Sequence, residues 1–203
     1  MDPMEKHPPP ILLPAKTDDI PTLARICLTA TRNEVLFASP LFWVTETIYY
    51  DYVVNFISTK ISVPSWQFIK ALDPTTKQII GWGGSNINEA GWADKPNNFD
   101  TSILDAFLQD KELSVKKEWL AGRRHVYLAA LFTEPEFQGR GVGTSVIEMT
   151  HERADNEGLV CYLQGTAVAQ PFYMARGWRY AERFEFDLEP WVKGRAWGMG
   201  FIK

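Results

Sequence analysis

The stretch that decides the fold is LFTEPEFQGRGVGTS, residues 131–145. It continues a nearly unbroken apolar run that starts at His125, which is typical of a strand covered on both faces. Pro135 ends this strand, a glycine-rich turn follows, and an amphipathic helix begins near Gly141. Glycines let a ligand approach the backbone closely, and a helix N-terminus presents unpaired N–H groups with partial positive charge. The turn therefore predicts an anion site, most often one for phosphate.

Three known phosphate-binding sequence patterns can be compared with this turn. A Walker loop is excluded, because no lysine follows Gly143. A dinucleotide fingerprint fits poorly, because Thr144 stands where its third glycine belongs. The pattern Gln/Arg-x-x-Gly-x-Gly/Ala is met by Gln138, Gly141 and Gly143, with a strand before it and a helix after it. On this stretch alone, a glycine-rich turn that binds nothing remains an alternative.

A second stretch, LQGTAVAQPFYMARGW at residues 163–178, reads as a buried strand followed by a short helix. It follows the first at a distance of about thirty residues, which suits one helix and one strand. The two motifs in this order resemble the GNAT superfamily of acetyl-coenzyme A-dependent N-acetyltransferases. The ending resembles the family's Tyr-x-x-x-Gly-Phe, with Trp178 in place of the phenylalanine. The specific resemblance covers residues 124–190, and the layout with an extra helix near 100–121 resembles fungal-like members.

The resemblance implies acetyl-coenzyme A as the cofactor and indicates which residues would bind it. The backbone of the strand before the turn would bind the pantetheine arm, through Leu131, Phe132 and Thr133. The backbone amides of the turn would wrap the pyrophosphate, and they belong to Gln138, Gly139, Arg140, Gly141, Val142, Gly143 and Thr144. Arg140 either adds charge to a phosphate or is an exposed arginine without a partner. Thr166 offers a hydroxyl where the family commonly has asparagine.

The resemblance also implies catalytic roles. Tyr173 falls at the position of the family's general acid, where a phenol protonates the departing thiolate. The alternative is an ordinary half-buried tyrosine on a helix. The acceptor amine must be neutral to attack, and Glu134 beside the strand end is a candidate base, the alternative being a solvent-exposed carboxylate. Gln164 replaces a glutamate found in many related sequences, so a base role at that position is lost.

The aromatic content is high, with eight Trp, seven Tyr and twelve Phe. Several of them fall in residues 30–90 and 188–203, which the resemblance assigns to the acceptor side. We predict that Trp82, set between glycines, faces the acceptor pocket, because glycines on a strand mark close approach. Phe42 and Trp43 are further candidates, and core packing is the alternative for all three. The acidic residues are scattered, which favours a small-molecule amine acceptor, or a hydroxyl, over a protein tail.

Strands and helices alternate along the chain, so the predicted class is α/β or α+β. The resemblance implies a central mixed, mostly antiparallel, splayed sheet of six or seven strands flanked by helices. Residues 1–10 are predicted to be a flexible tail, and 11–203 a single domain whose cofactor-binding core spans about 124–180. A further helix is predicted after Asp100 and a polar loop at 88–98.

Charge and cysteine content narrow the function classes. With 25 acidic against 21 basic residues, bulk charge gives no reason to expect nucleic acid as a partner. Cys27 and Cys161 lie far apart in apolar runs and are expected to be buried thiols, and no histidine has metal-ligand spacing. Neither a signal peptide nor a membrane-spanning run is recognised, so we expect a cytoplasmic monomer or homodimer without a membrane partner. The alternatives to an acetyltransferase are a non-catalytic coenzyme A-binding or regulatory domain and a nucleotide-binding protein.

Overall fold

A computed structural model describes residues 7–32, 46–88, 120, 122–187 and 195–202. Most of the loop predicted at 88–98 and almost all of the helix predicted after Asp100 lie outside these residues, as do Phe42 and Trp43. Tyr173, Glu134 and the whole glycine-rich turn lie within them.

The described residues form seven strands, four α-helices and three short 3₁₀ turns, whose order follows the predicted alternation. The strands are β1 (Ile11–Pro14), β2 (Trp66–Leu72), β3 (Ile79–Asn88), β4 (His125–Thr133), β5 (Val160–Thr166), β6 (Arg179–Asp187) and β7 (Arg195–Ile202). The helices are α1 (Ile20–Thr31), α2 (Glu46–Ser58), α3 (Val142–Glu157) and α4 (Gln170–Met174). The 3₁₀ turns are Thr17–Asp19, Pro135–Phe137 and Ala167–Ala169.

All seven strands belong to one mixed sheet in the order β1-β2-β3-β4-β5-β7-β6. Every neighbouring pair is antiparallel except β4 and β5, which run parallel. The parallel pairing starts at His125 opposite Val160 and ends at Leu128 opposite Leu163. Beyond this point β4 continues to Thr133 beside β3, and β5 continues beside β7. The two middle strands therefore diverge, and the predicted mixed sheet between helices is confirmed.

Helix α3 connects the two parallel strands across one face of the sheet. Its apolar side is buried, with Val146 and Ile147 in one cluster with Leu128 and Leu163 of the strands. Gly158 ends the helix at φ +64°, and its N–H donates to the carbonyls of the last turn. Such a left-handed residue is the common way to close a helix and is easiest for glycine. The N-terminus of α3 lies beside the end of β4, because Val142 packs on Gly81, the β3 partner of Thr133.

The opposite face of the sheet is covered by α1 and α2. Their apolar sides meet Phe68 and Trp82 of the sheet in a second cluster, which includes Leu23, Ile26 and Ile57. Cys27 belongs to this cluster and Cys161 to the first one, so both predicted buried thiols are confirmed.

Two glycines of β3 let α3 lie directly on the sheet. A Cβ at Gly81 would lie 2.6 Å from Val142 Cγ1 and 2.7 Å from the Phe132 carbonyl oxygen. A Cβ at Gly83 would overlap Val146 Cγ1. The glycines therefore mark the close approach of a helix.

We predict that Gly83→Ala lowers the free energy of unfolding by about 1–3 kcal/mol, because the added methyl group overpacks the contact with α3. Urea denaturation measures the loss. The matched variant Val146→Ala frees the space, so the loss in the double variant is expected to be smaller than the sum of the two single losses. Losses that simply add would show that the two side chains do not meet.

Candidate active site

The glycine-rich turn presents a row of backbone N–H groups at the start of α3. Gly139 and Gly141 adopt φ +76° and +87°, which L side chains rarely allow. The Ser145 N–H donates to the Gly141 carbonyl at 2.9 Å and is the first amide of α3 to find a helical acceptor. Among the described residues, the N–H groups of 139–144 donate to no acceptor. These donors, together with the helix dipole, suit an anion.

Two side chains of the turn pack against other parts of the chain. Val142 is buried against Ala71 and Ile80 of the sheet. The guanidinium of Arg140 lies 4.7 Å from the ring centroid of Phe137. The turn therefore offers mainly backbone groups, with one cation beside them.

The splayed strands lead to the turn. Leu131 packs in the α3-side cluster, whereas the ring of Phe132 lies on the other face, 5.2 Å from that of Trp82. Thr133 ends β4 opposite Gly81, and Thr166 ends β5 opposite Gly198. After Leu128 and Leu163 neither strand pairs with the other in the described residues, so the backbone edges facing the gap are open to a ligand.

Tyr173 lies on α4, in the same cluster as Leu131 and Val146. It is 8% exposed, and its ring meets those of Phe172 and Trp178 at 5.3 and 6.1 Å. Burial raises the pKa of Tyr173 to about 12. The phenol is therefore protonated at neutral pH, which is the state a proton donor needs.

A model of the acetyltransferase (GNAT) family matches residues 64–178, more than half of the chain. The chain belongs to this family. The matched range ends on Trp178 and includes the turn, both splayed strands and Tyr173. No curated protein sequence matches the chain at a significant level. The comparisons do not support assignment to the fungal-like members.

Solved structures share the GNAT fold over nearly the whole chain. The C-terminal condensation domain of Ebony in complex with beta-alanyl-dopamine has a TM-score of 0.73 at 12% identity, covering 96% of this chain and 98% of that one. A mosquito arylalkylamine N-acetyltransferase-like protein, 5b, has a TM-score of 0.68 at 14% identity, covering 96% of this chain and 99% of that one. The PaiA N-acetyltransferase of Thermoplasma acidophilum in complex with coenzyme A has a TM-score of 0.53 at 12% identity, covering 94% of this chain and 97% of that one.

Glu134, the predicted base, follows the last residue of β4. Its N–H donates to the Ile80 carbonyl at 3.0 Å, which fixes the backbone at this point. Burial raises the pKa of the carboxyl, Arg25 opposes the rise and Glu136 adds to it. A partly buried carboxylate with a raised pKa is a better proton acceptor than an exposed one.

Trp82 does not face a pocket in this GNAT chain. It is 1% exposed, and its indole Nε1 donates to the Leu23 carbonyl of α1 at 2.8 Å. The neighbouring glycines led to the pocket prediction, but they make room for Val142 and Val146 of α3 on the opposite face. Trp82 is therefore a core residue between the sheet and α1.

Arg176 lies beside the turn and was not singled out from the sequence. Its Nε and Nη2 donate to Thr144 Oγ1 at 2.9 and 2.7 Å, and its Nη1 donates to the Phe172 carbonyl at 2.8 Å. The sequence signal was its place just before Gly177 in the second motif. The contact to Thr144 spans 32 residues and emerges only in the fold.

The described residues lack two further features. No helix in them has the length and apolar character needed to cross a membrane. Within the same ranges, no group of three or more His, Cys, Asp or Glu side chains is arranged to hold a metal ion.

Proposed function

We propose that this protein transfers an acetyl group from acetyl-coenzyme A to the amine of a small molecule. The observation that carries the proposal is the row of amide donors at residues 139–144, placed where β4 and β5 diverge and beside the cluster that holds Tyr173. A row of amide donors that suits phosphate, an open strand edge and a protonated phenol together suit acyl transfer from a coenzyme A thioester.

The residues present fit the coenzyme. The amides of 139–144 would hold its pyrophosphate, because they form a positively polarised row of donors that no other group of the described residues engages. The Gln138 N–H, predicted from the resemblance to join them, instead donates to the Pro135 carbonyl at 3.3 Å. Arg140 adds a positive charge beside them. The open backbone edges of Leu131–Thr133 and of Thr166 would bind the pantetheine arm by hydrogen bonds. When bound, acetyl-coenzyme A supplies an acetyl group activated as a thioester.

Two side chains of this protein would donate a proton to the departing sulfur and accept one from the amine. Tyr173 Oη holds the proton that the coenzyme sulfur needs as it leaves, and burial keeps that proton in place at neutral pH. Glu134 is the proposed acceptor of the proton that the amine must lose, directly or through one water. The amine attacks directly, while both substrates are bound, so no covalent acetyl-enzyme is required.

We propose that the amine carries an aromatic or apolar group. Two structures with this fold support the proposal: the Ebony domain is in complex with beta-alanyl-dopamine, and the mosquito protein is named as arylalkylamine N-acetyltransferase-like. The high aromatic content of this chain agrees with that choice. A monomeric or homodimeric state and a cytoplasmic location stay predictions from the sequence.

Calorimetric titration tests the cofactor. We expect coenzyme A to bind, and ATP and NAD to bind at least about tenfold more weakly, because they lack a pantetheine arm for the open strand edges. Arg140→Glu is expected to weaken coenzyme A binding about tenfold by placing a carboxylate beside the phosphates. Arg124→Glu, a charge reversal of an exposed residue just before β4, is the matched control and should bind normally. Equal binding of ATP or NAD would favour a nucleotide-binding protein instead.

A further inference from the structure

We propose that Arg176 is a positioning residue that holds the helix bearing Tyr173 against the glycine-rich turn. The inference rests on the proposed acetyl transfer and deepens it, because it names the side chain that links the coenzyme-binding turn to the proton donor. Arg176 touches neither reacting group in this assignment and acts through Tyr173.

The guanidinium of Arg176 joins α4 to α3. Nη1 donates to the carbonyl of Phe172, in the short helix that also carries Tyr173. Nε and Nη2 both donate to Thr144 Oγ1, in the first turn of α3. Three hydrogen bonds from one planar group thus fix the distance between the two helices.

The ring of Phe172 fills the space between these partners. The Arg176 guanidinium lies 3.8 Å from its centroid, which is a close cation–π contact. A Cβ at Gly143 would lie 2.8 Å from Phe172 Cζ, so the tip of the ring contacts the bare backbone of the turn. A shift of α4 toward the turn is blocked by this contact, and a shift away breaks the hydrogen bonds of Arg176.

Tyr173 depends on this arrangement. Helix α4 has five residues, too few to be stable without tertiary contacts. Tyr173 follows Phe172 directly in the chain, and their ring centroids are 5.3 Å apart. Any movement of Phe172 therefore moves the phenol, and a displacement of about 1 Å at a catalytic group can lower a rate by up to about 100-fold.

The geometry of the guanidinium matters more than its charge. The groups that face it are a hydroxyl, a carbonyl and an aromatic ring, and within the described residues Arg176 forms no ion pair. A lysine keeps the charge, but its single ammonium cannot make all three hydrogen bonds and also stack a planar group on the Phe172 ring. Arg176→Lys is therefore expected to behave as a partial loss of function.

A double-mutant cycle between Arg176→Met and Tyr173→Phe tests the proposal on the full chain. We expect Arg176→Met to lower kcat for thiol release from acetyl-coenzyme A about tenfold, with Arg176→Lys between it and the wild type. The Kd for coenzyme A should stay within about twofold. In the Tyr173→Phe background, Arg176→Met should cause no further loss, because the group through which it acts is already gone. A merely structural role would lower kcat in both backgrounds.

Arg179→Met, at an exposed position three residues later, is the matched control and should match the wild type. Thermal unfolding of each variant reports whether it folds. The proposal is overturned if Arg176→Met leaves kcat unchanged, if the two losses add, or if coenzyme A binding weakens while kcat stays, which would make Arg176 a phosphate ligand. It is also overturned if Tyr173→Phe has no effect. Wild-type protein that releases no thiol with any amine contradicts the proposed function itself.

Discussion

Tyr173→Phe is expected to lower kcat for acetyl transfer about 100-fold, because it removes the proton donor for the departing sulfur. The phenol is buried, and its pKa of about 12 keeps it protonated at neutral pH. Phenylalanine retains the ring that meets Phe172 and Trp178, so the packing of α4 should be preserved. The measurement is steady-state thiol release from acetyl-coenzyme A, together with the Kd for coenzyme A by calorimetry.

Coenzyme A is expected to bind Tyr173→Phe within about twofold of wild type, since a proton donor acts in the transition state and not in cofactor binding. Tyr180→Phe, at a residue that is 41% exposed, is the matched control and should keep full activity. An unchanged kcat in Tyr173→Phe would mean that Tyr173 is an ordinary buried tyrosine. The sulfur would then take its proton from another group or from water.

Trp82→Ala is expected to lower the free energy of unfolding by about 3–5 kcal/mol. Its side chain is 1% exposed and packs against the rings of Phe68 and Phe132. Truncation leaves a large cavity and removes the indole partner of the Leu23 carbonyl. A loss of this size is a large part of the roughly 5–15 kcal/mol by which domains are commonly stable.

Urea denaturation measures this loss, with Trp66→Ala as a control of the same chemistry at a less buried site. Trp66→Ala should lower the free energy of unfolding clearly less, because Trp66 is half-buried and keeps part of its surface in water in the folded state. If Trp82→Ala instead left stability intact and raised the KM for the acceptor amine, Trp82 would be part of the acceptor pocket after all.

The turn and the helix after it could be predicted from sequence because their determinants are local. Gly139 and Gly141 permit positive φ, Pro135 ends the strand, and unpaired amides follow at any helix start. The parallel pairing of β4 and β5 follows from the intervening helix. Tyr173 was located by its place in the second motif, and its burial agrees with a role inside the molecule.

The prediction that Trp82 faces the acceptor pocket was wrong for a physical reason. Glycines beside a strand residue indicate that something approaches closely, but sequence does not say whether it is a ligand or another part of the chain. Here Val146 approaches Gly83 from an element more than sixty residues later. Arg176 was missed for the same reason, since its partner Thr144 becomes its neighbour only once β5 and α4 are in place.

Amine-dependent thiol release from acetyl-coenzyme A tests the central claim most directly. Wild-type protein, incubated with acetyl-coenzyme A and a panel of amines that includes arylalkylamines, is expected to release free thiol only when an acceptor is present. Mass spectrometry should find the acetylated amine in equal amount. Tight binding of coenzyme A without thiol release across the panel would contradict catalysis and leave a non-catalytic coenzyme A-binding domain.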